Sequence, residues 1–313
     1  MLEPPDLAED VMLAAVGAGY GIPVTDLTFL PIGLDSSAWV YRAQAVDGAA
    51  YFLKVRRGIA NPSSLLVPRF LRDHGVTQVV APIPTSAHTL WVDVGEFALI
   101  LYPFIEGTTG TDHGMSEQHW VAYGAVLRQI HATVPAPELA QGMRRETFVP
   151  GWSDVVKQID AAIASRRFTS PSERDLAVFW RARREEIRTL VDRAETLGRR
   201  LRAADLPLVL CHADIHTWNL LIDVEDRLWV VDWDETVLAP KERDLMFAVG
   251  GLARTLVGPR AEAWFLAGYG ETTIDPLALA YYRYARAVED LGAFAEDVFL
   301  SAETGEPTKR ASV

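Results

Sequence analysis

The sequence predicts an α+β fold with an N-terminal lobe built on an antiparallel sheet, ending near residue 103, and a larger, mostly helical C-terminal lobe. Three observations carry this. The runs Trp39-Val40-Tyr41-Arg42 and Phe52-Leu53-Lys54-Val55 have the period-two pattern of an antiparallel sheet with one covered face. From residue 116 the period changes: SEQHWVAYGAVLRQIHA sets Trp120, Tyr123/Gly124, Leu127 and Ile130/His131 along one side of a helix. Inside that helical part, the stretch ending at Asp234 holds three apolar bursts, VLC at 209–211, NLLI at 219–222 and LWVV at 228–231. Each is too short for a helix and reads as a short strand.

In chain order, residues 6–19 form a first helix with Leu7, Val11 and Ala14/Ala15 on one face, closed by glycines at 17, 19 and 21. Strands follow at about 25–30, 38–46, 50–56, 88–93 and 97–103, with Val46-Asp47-Gly48 as a hairpin turn and one helix near 64–74. LILYPFI at 99–105 suits a hinge segment, extended because Pro103 opposes a helix. EGTTGTDHGM at 106–115 is a Gly-rich loop, and Ser116 is placed to cap the helix that follows. The span 172–204, rich in Arg and Glu, reads as one long helix with a solvated charged face. Two last helices are expected at 259–270 and 275–300, their Trp264, Tyr269, Tyr281, Tyr282 and Tyr284 mainly core, and the 301–313 tail reads as disordered.

Composition narrows the function classes. With 313 residues, 49% of them hydrophobic and nine Trp, the chain has material for two lobes and a large core. Thirty basic against 42 acidic residues give a net charge of −12, which argues against nucleic acid or anionic membrane surfaces as partners. No apolar run is long enough to span a bilayer. The start MLEPPDLAED has neither the basic beginning nor the apolar core of a signal peptide, and the single cysteine excludes an internal disulfide. A cytoplasmic location is therefore expected. Cys211, at the end of a buried strand, reads as inert rather than nucleophilic.

Chemistry concentrates in LCHADIHTWNLLIDVEDRLWVVDWD. Asn219 lies five residues after Asp214, and Asp232 thirteen after Asn219. This is the H-x-D-x-x-x-x-N spacing of phosphoryl transfer, followed by a strand ending in Asp. In that layout one Asp orients the attacking hydroxyl and takes its proton, while the Asn and second Asp hold Mg²⁺ against nucleotide phosphates. Mg²⁺ keeps several waters and accepts hard oxygen ligands, so one amide oxygen and one carboxylate suffice. His212, Asp214 and His216 also have spacings seen in zinc hydrolases. No other His lies between His131 and His212 and none follows His216, so further ligands would have to be carboxylates, and the phosphotransfer layout is the fuller match.

From these residues, with VLAPKERDLMF downstream, YPFI at 102–105 and LRQIH at 127–131, the chain resembles the aminoglycoside phosphotransferase family of the protein-kinase-like superfamily. The resemblance runs from about residue 25 to about 300. It implies a bilobal kinase-like fold, residues 1–103 holding the nucleotide, a hinge at about 99–105, and residues 106–300 carrying the catalytic and acceptor sites. It implies Asp214 as base, His212 as the prop of its loop, and Asn219 and Asp232 as magnesium ligands. PIGLDSS at 31–37 resembles the phosphate-covering loop, with Gly33, Ser36 and Ser37 approaching phosphate oxygens, and Lys54 becomes the lysine that meets the phosphates. The backbone about Leu101, Tyr102 and Phe104 would face the base, and Arg243 and Asp244 would brace the catalytic loop. Acids near the late helices, Asp234, Glu235, Glu289 and Asp290, would hold a cationic acceptor.

The implied activity is transfer of a phosphoryl group from ATP or GTP to a hydroxyl of a small polar, cationic molecule such as an aminocyclitol or aminoglycoside antibiotic, giving resistance. Alternatives are a metabolic kinase of the choline or amino-sugar type, or a nucleotide-binding pseudo-kinase. The last is motivated by one departure from the family. No Glu lies between Arg57 and Gly95 to hold Lys54, only Asp73 and Asp93, and Asp73 sits late in its helix. Oligomeric state is not legible in the sequence.

Overall fold

A computed structural model describes residues 4–32, 38–165, 168, 170–250, 257–300 and 309–310. They form two compact units, the first drawn from Met1–Arg144, Val209–Leu238 and Ala253–Glu271, the second from Arg145–Leu208, Ala239–Leu252 and Thr272–Val313.

In the first unit, helix α1 (Glu9–Tyr20) precedes strands β1 (Val24–Leu30), β2 (Ala38–Ala45) and β3 (Ala50–Arg57), helix α2 (Ser63–Asp73), and strands β4 (Val92–Val94) and β5 (Phe97–Pro103). The strands form one antiparallel sheet in the order β1-β2-β3-β5-β4. Period two sorts its side chains. Trp39, Tyr41, Leu53, Val55, Leu99 and Leu101 pack with Met12, Val16 and Tyr20 of α1. Each such burial is worth about 1.5–3 kcal/mol. Lys54 and Arg56 therefore point to the opposite face, beside Ile100 and Ala98.

The buried face of α1 is Met12-Val16-Tyr20; of the expected stripe Leu7 and Ala15 pack beside it, partly buried, while Ala14 is exposed and Val11 is 41% exposed. The physical reason is Tyr20: its hydroxyl donates to the Leu99 carbonyl at 2.9 Å and accepts from Leu101 N–H at 3.2 Å, which fixes the helix's rotation. The strand expected at 88–93 is shorter and later, because Thr85 N–H bonds the Thr89 carbonyl and His88 has φ 60°, closing a turn first.

The unit continues through β6 (Gly107–Thr109), short α3 (Gly110–His113), α4 (Glu117–Ala132) and α5 (Pro137–Gly142). Ser116 caps α4 as expected, accepting from His119 N–H. After the second unit's first helices the chain returns as β7 (Val209–Cys211), β8 (Leu220–Asp223), β9 (Leu228–Val230) and β10 (Val237–Ala239). Strands order β6-β8-β9 in one sheet and β10-β7 in another. Much later, α10 (Pro259–Tyr269) packs on α4. Glycines let the two backbones meet: a β-carbon at Gly124 would collide with the Phe265 carbonyl, and one at Gly268 with that of Val121. His131 Nδ1 meets the Tyr269 hydroxyl at 2.8 Å, so this histidine is a packed one.

Asp223 organises the β8–β9 turn. One carboxylate oxygen accepts the N–H of Glu225 and of Arg227, each at 2.9 Å, and the other accepts Arg227 Nε at 2.8 Å and the Trp229 indole at 2.9 Å. Burial alone would raise its pKa, but these donors outweigh it and bring the carboxyl down to about 2. The folded value lies below the unfolded one near 3.9, so this contribution to stability is full above about pH 4 and is lost as pH falls through about 2. Asp223→Asn should lower the melting temperature at pH 7 and flatten its decline below pH 4. Parallel melting curves for both proteins across that range would disprove the assignment.

The second unit is helical: α6 (Ser153–Ser165), α7 (Pro171–Ala182), α8 (Arg184–Leu201), short α9 (Glu242–Leu245) and α11 (Pro276–Phe299). The span expected as one helix breaks at Arg183, at φ −111° and ψ 12°. The break lets Trp180 and Arg184 both reach the buried carboxylate of Asp160 on α6, with Arg188 joining one turn on. It also shifts the phase of α7, so Phe179 is 47% exposed while Leu176, Ala177 and Trp180 are buried. Tyr281 and Tyr282 of α11 pack with Phe148, Leu201 and Met246 as core. Among the described residues no helix is long and apolar enough to cross a membrane.

Candidate active site

The loop after β7 is held by His212, which is fully buried. Its Nδ1 accepts the Asp214 N–H at 3.3 Å, so the proton sits on Nε2, which donates to the Val231 carbonyl at 2.9 Å. The imidazole thus ties Asp214's backbone to the end of β9, and its ring lies 4.6 Å from that of Trp233. Between them Ala213 takes φ 71°, a left-handed conformation that costs an alanine about 1–2 kcal/mol and swings Asp214 out of the strand direction. From the other side Tyr123 of α4 donates its hydroxyl proton to the Ile215 carbonyl at 2.6 Å. Thr217 and Thr111 join hydroxyls at 2.6 Å.

A single 3₁₀ turn, Thr217–Asn219, then presents Asn219. Its amide nitrogen donates to the Asp214 carbonyl at 2.8 Å and to the Asp214 carboxylate at 3.1 Å. Its main-chain carbonyl accepts the Val231 N–H at 3.1 Å, which sets Asn219 beside the residue preceding Asp232. Asp232 has φ 63°, a conformation Asp tolerates better than most residues, and its side chain is 47% exposed. With its nitrogen engaged, Asn219 has its amide oxygen left as a ligand atom, and Asp232 offers carboxylate oxygens. That is the hard, oxygen-only donor set Mg²⁺ takes, so these residues fit a divalent cation.

Lys54 lies across from this turn. Its Nζ is 2.8 Å from Asp234 Oδ2 and 3.5 Å from Asp232 Oδ1, and Arg56 Nη1 is 2.8 Å from the same Asp234 oxygen. Burial would lower the ammonium's pKa, but the two carboxylates win and hold it above its ordinary value. Asp234 is pulled the opposite way: burial would raise its pKa, yet Lys54 and Arg56 keep it below the usual carboxylate range. The Asp234 main-chain carbonyl accepts from Asn61 Nδ2 and from Arg144 Nη2, each at 3.2 Å.

Comparison with known proteins then decides the family. The model of the phosphotransferase enzyme family matches residues 26–282. The chain belongs to this family. Its structure matches that of spectinomycin phosphotransferase in complex with ADP and spectinomycin with a TM-score of 0.89, at 30% identity over 98% of this chain and 95% of the other. The AMP-bound complex of spectinomycin phosphotransferase matches with a TM-score of 0.84, at 31% identity over 98% and 95%. Protein StrN of Streptomyces griseus is 25% identical over 229 residues, covering 70% of this chain and 67% of that protein. The bilobal kinase-like α+β fold and the phosphotransferase activity expected from the sequence therefore stand.

In this phosphotransferase several expected site residues are placed differently. Asp234, expected at a cationic acceptor, is engaged by Lys54 and Arg56, two cations on one carboxylate. Glu235 pairs with Arg144 at 3.1 Å. In the second unit Glu289 faces Arg243 at 3.6 Å and Asp290 pairs with Arg286 one helical turn away at 2.8 Å. Asp73 is exposed and bonded to Arg69 on its own helix, so it is not the partner of Lys54. Leu101, expected at the nucleotide base, turns its side chain into the core, and its carbonyl accepts the Ile83 N–H at 2.7 Å. Tyr102 lies on the Lys54 face of the sheet, and Phe104 sits under Arg42, 4.8 Å from guanidinium to ring centre. Gly33, Ser36 and Ser37 lie outside the described residues, as does the 301–313 tail apart from 309–310.

Sequence reasoning passed over Arg56, Asn61, Arg144 and Trp218. Arg56 was legible, since two positions after Lys54 in a strand is the same face. Asn61 and Arg144 reach a main-chain carbonyl, which leaves no mark in their own neighbourhoods. Trp218 is 48% exposed within the loop that carries Asp214 and Asn219, edge-on to the His216 ring at 5.7 Å.

Proposed function

We propose that this phosphotransferase moves the γ-phosphoryl group of ATP, or GTP, to a hydroxyl of spectinomycin or a related aminocyclitol or aminoglycoside antibiotic, giving resistance. The observation that carries the reading is Asn219, whose one amide touches Asp214 while its main chain is bonded to the residue before Asp232. The loop that carries Asp214 and the end of the strand that carries Asp232 are thereby joined through one residue. The similarity to a spectinomycin-bound enzyme at 30% identity supports the choice of acceptor.

In this reading residues 1–103 bind the nucleotide, with Tyr102 and Phe104 at the hinge, and residues 106–300 carry the catalytic and acceptor groups. Asp214 takes the proton of the attacking hydroxyl. His212 keeps the Asp214 backbone in place, and Lys54 meets the phosphates. Mg²⁺, held by Asn219 and Asp232, would neutralise phosphate charge as the transferred group passes between oxygens.

Each of the four acids expected at the acceptor has a basic partner within the protein, so the test includes metabolic acceptors. A panel of ATP and GTP with Mg²⁺ against spectinomycin, other aminocyclitols and aminoglycosides, choline and amino sugars would be read by nucleotide diphosphate release and product mass. The expected result is phosphorylated spectinomycin or a close relative. A best acceptor without positive charge would remove the antibiotic amine from the reading, and choline or an amino sugar as best acceptor would replace it with a metabolic kinase.

A further inference from the structure

We propose that Asp234 is the positioning residue of Lys54 and that Arg56 is a second phosphate-binding cation of this enzyme, an inference that rests on the nucleotide-dependent reading above. The helix after β3 does not supply the acid that holds the lysine: α2 offers only Asp73, which is spent on Arg69 at the helix's exposed end. The acid arrives instead from the opposite direction, 180 residues along the chain.

Its main chain is held in place by hydrogen bonds. Asn61, just before α2, and Arg144 both donate to the Asp234 main-chain carbonyl, and Asp232 two residues earlier takes a left-handed φ of 63°. Lys54 and Arg56 side chains are 14% and 21% exposed, and that of Asp234 28%. Two cations this close repel one another unless an anion lies between them, and Asp234 supplies it with a single oxygen. The pair is thus aimed together before any ligand arrives, which is the pre-organisation phosphate recognition needs. An arginine adds what a lysine lacks, a planar fork that can take two phosphate oxygens at once.

Register supports the same reading: Lys54 lies opposite Val40 and Arg56 opposite Ala38, so the two cations leave one face of β3 two residues apart. The two cations also explain why Asp234 is a poor host for an acceptor amine. Its charge is already balanced twice, and a third cation would have to displace one of them.

The full chain is tested by calorimetry with ADP and Mg²⁺, with adenosine as the phosphate-free control, and by steady-state kinetics with the best acceptor of the panel. Arg56→Gln is expected to weaken ADP binding by about ten-fold, the size of one charge-assisted contact, and to leave adenosine binding unchanged. Asp234→Asn is expected to raise nucleotide KM and lower kcat, with Asp234→Glu restoring part of both and acceptor KM unmoved. Equal ADP affinity in wild type and Arg56→Gln would overturn the role of Arg56. An Asp234→Asn protein whose acceptor KM alone rises would return this carboxylate to the acceptor. Wild-type protein that binds no ADP would overturn the phosphotransfer reading and this inference with it, whereas wild-type binding with indifferent variants overturns the inference alone.

Discussion

Asp214→Asn should lower kcat by roughly 10³-fold, inside the range of about 10²–10⁴ that a positioned general base supplies, while nucleotide affinity stays near that of the wild type. The substitution is nearly isosteric. The Asp214 N–H still reaches His212, and its carbonyl still accepts from Asn219, so the loop keeps its shape. What disappears is a carboxylate able to take a proton, and that loss falls on the transition state rather than on ground-state binding. Turnover with the acceptor and ADP affinity by calorimetry are the two measurements needed. Collapsed ADP affinity with high residual turnover would show that Asp214 serves the nucleotide instead.

Lys54→Ala is expected to raise nucleotide KM roughly ten- to hundred-fold, the range of one hydrogen bond to a charged group, and acceptor KM much less. The ammonium is hemmed by Asp232 and Asp234, so its removal also leaves two carboxylates facing one another with Arg56 as their remaining cation. Part of the loss will therefore appear as reduced thermal stability, and the kinetic comparison separates the two effects. Asp73→Ala makes the contrast: its carboxylate is half exposed and bonded within α2, where a surface pair contributes at most about 1 kcal/mol. A kinetic defect in Asp73→Ala matching that of Lys54→Ala would restore the helix acid as the lysine's partner.

The strands of the first sheet were legible because a covered face writes itself as alternation, and α4 because its cap and its apolar stripe agree. The turn from His212 to Asn219 was legible because His212, Asp214 and Asn219 bond to one another within eight residues and their spacing survives in one dimension. The partner of Lys54 was not, since Asp234 meets it only after the chain has left the sheet and returned. Local pattern contains no record of such a meeting. The rotation of α1 escaped for a related reason: one hydroxyl, that of Tyr20, outweighs a stripe of small apolar residues. The break at Arg183 lacks any glycine or proline to announce it. It is visible only once Asp160 is known to draw Trp180 and Arg184 from two different helices.

The contact of Gly124 with Phe265 and of Gly268 with Val121 bears on how such a gene can change under selection. Every missense mutation of a glycine codon adds a β-carbon, whatever residue it encodes, and at these two codons the added atom meets a main-chain carbonyl. Gly124 is the immediate neighbour of Tyr123, whose hydroxyl steadies the loop at Ile215. Forcing α4 away from α10 would therefore be felt as lost turnover toward every acceptor at once, rather than as exchange of one acceptor for another. Variants with altered acceptor preference are expected to leave both codons untouched and to accumulate their changes elsewhere.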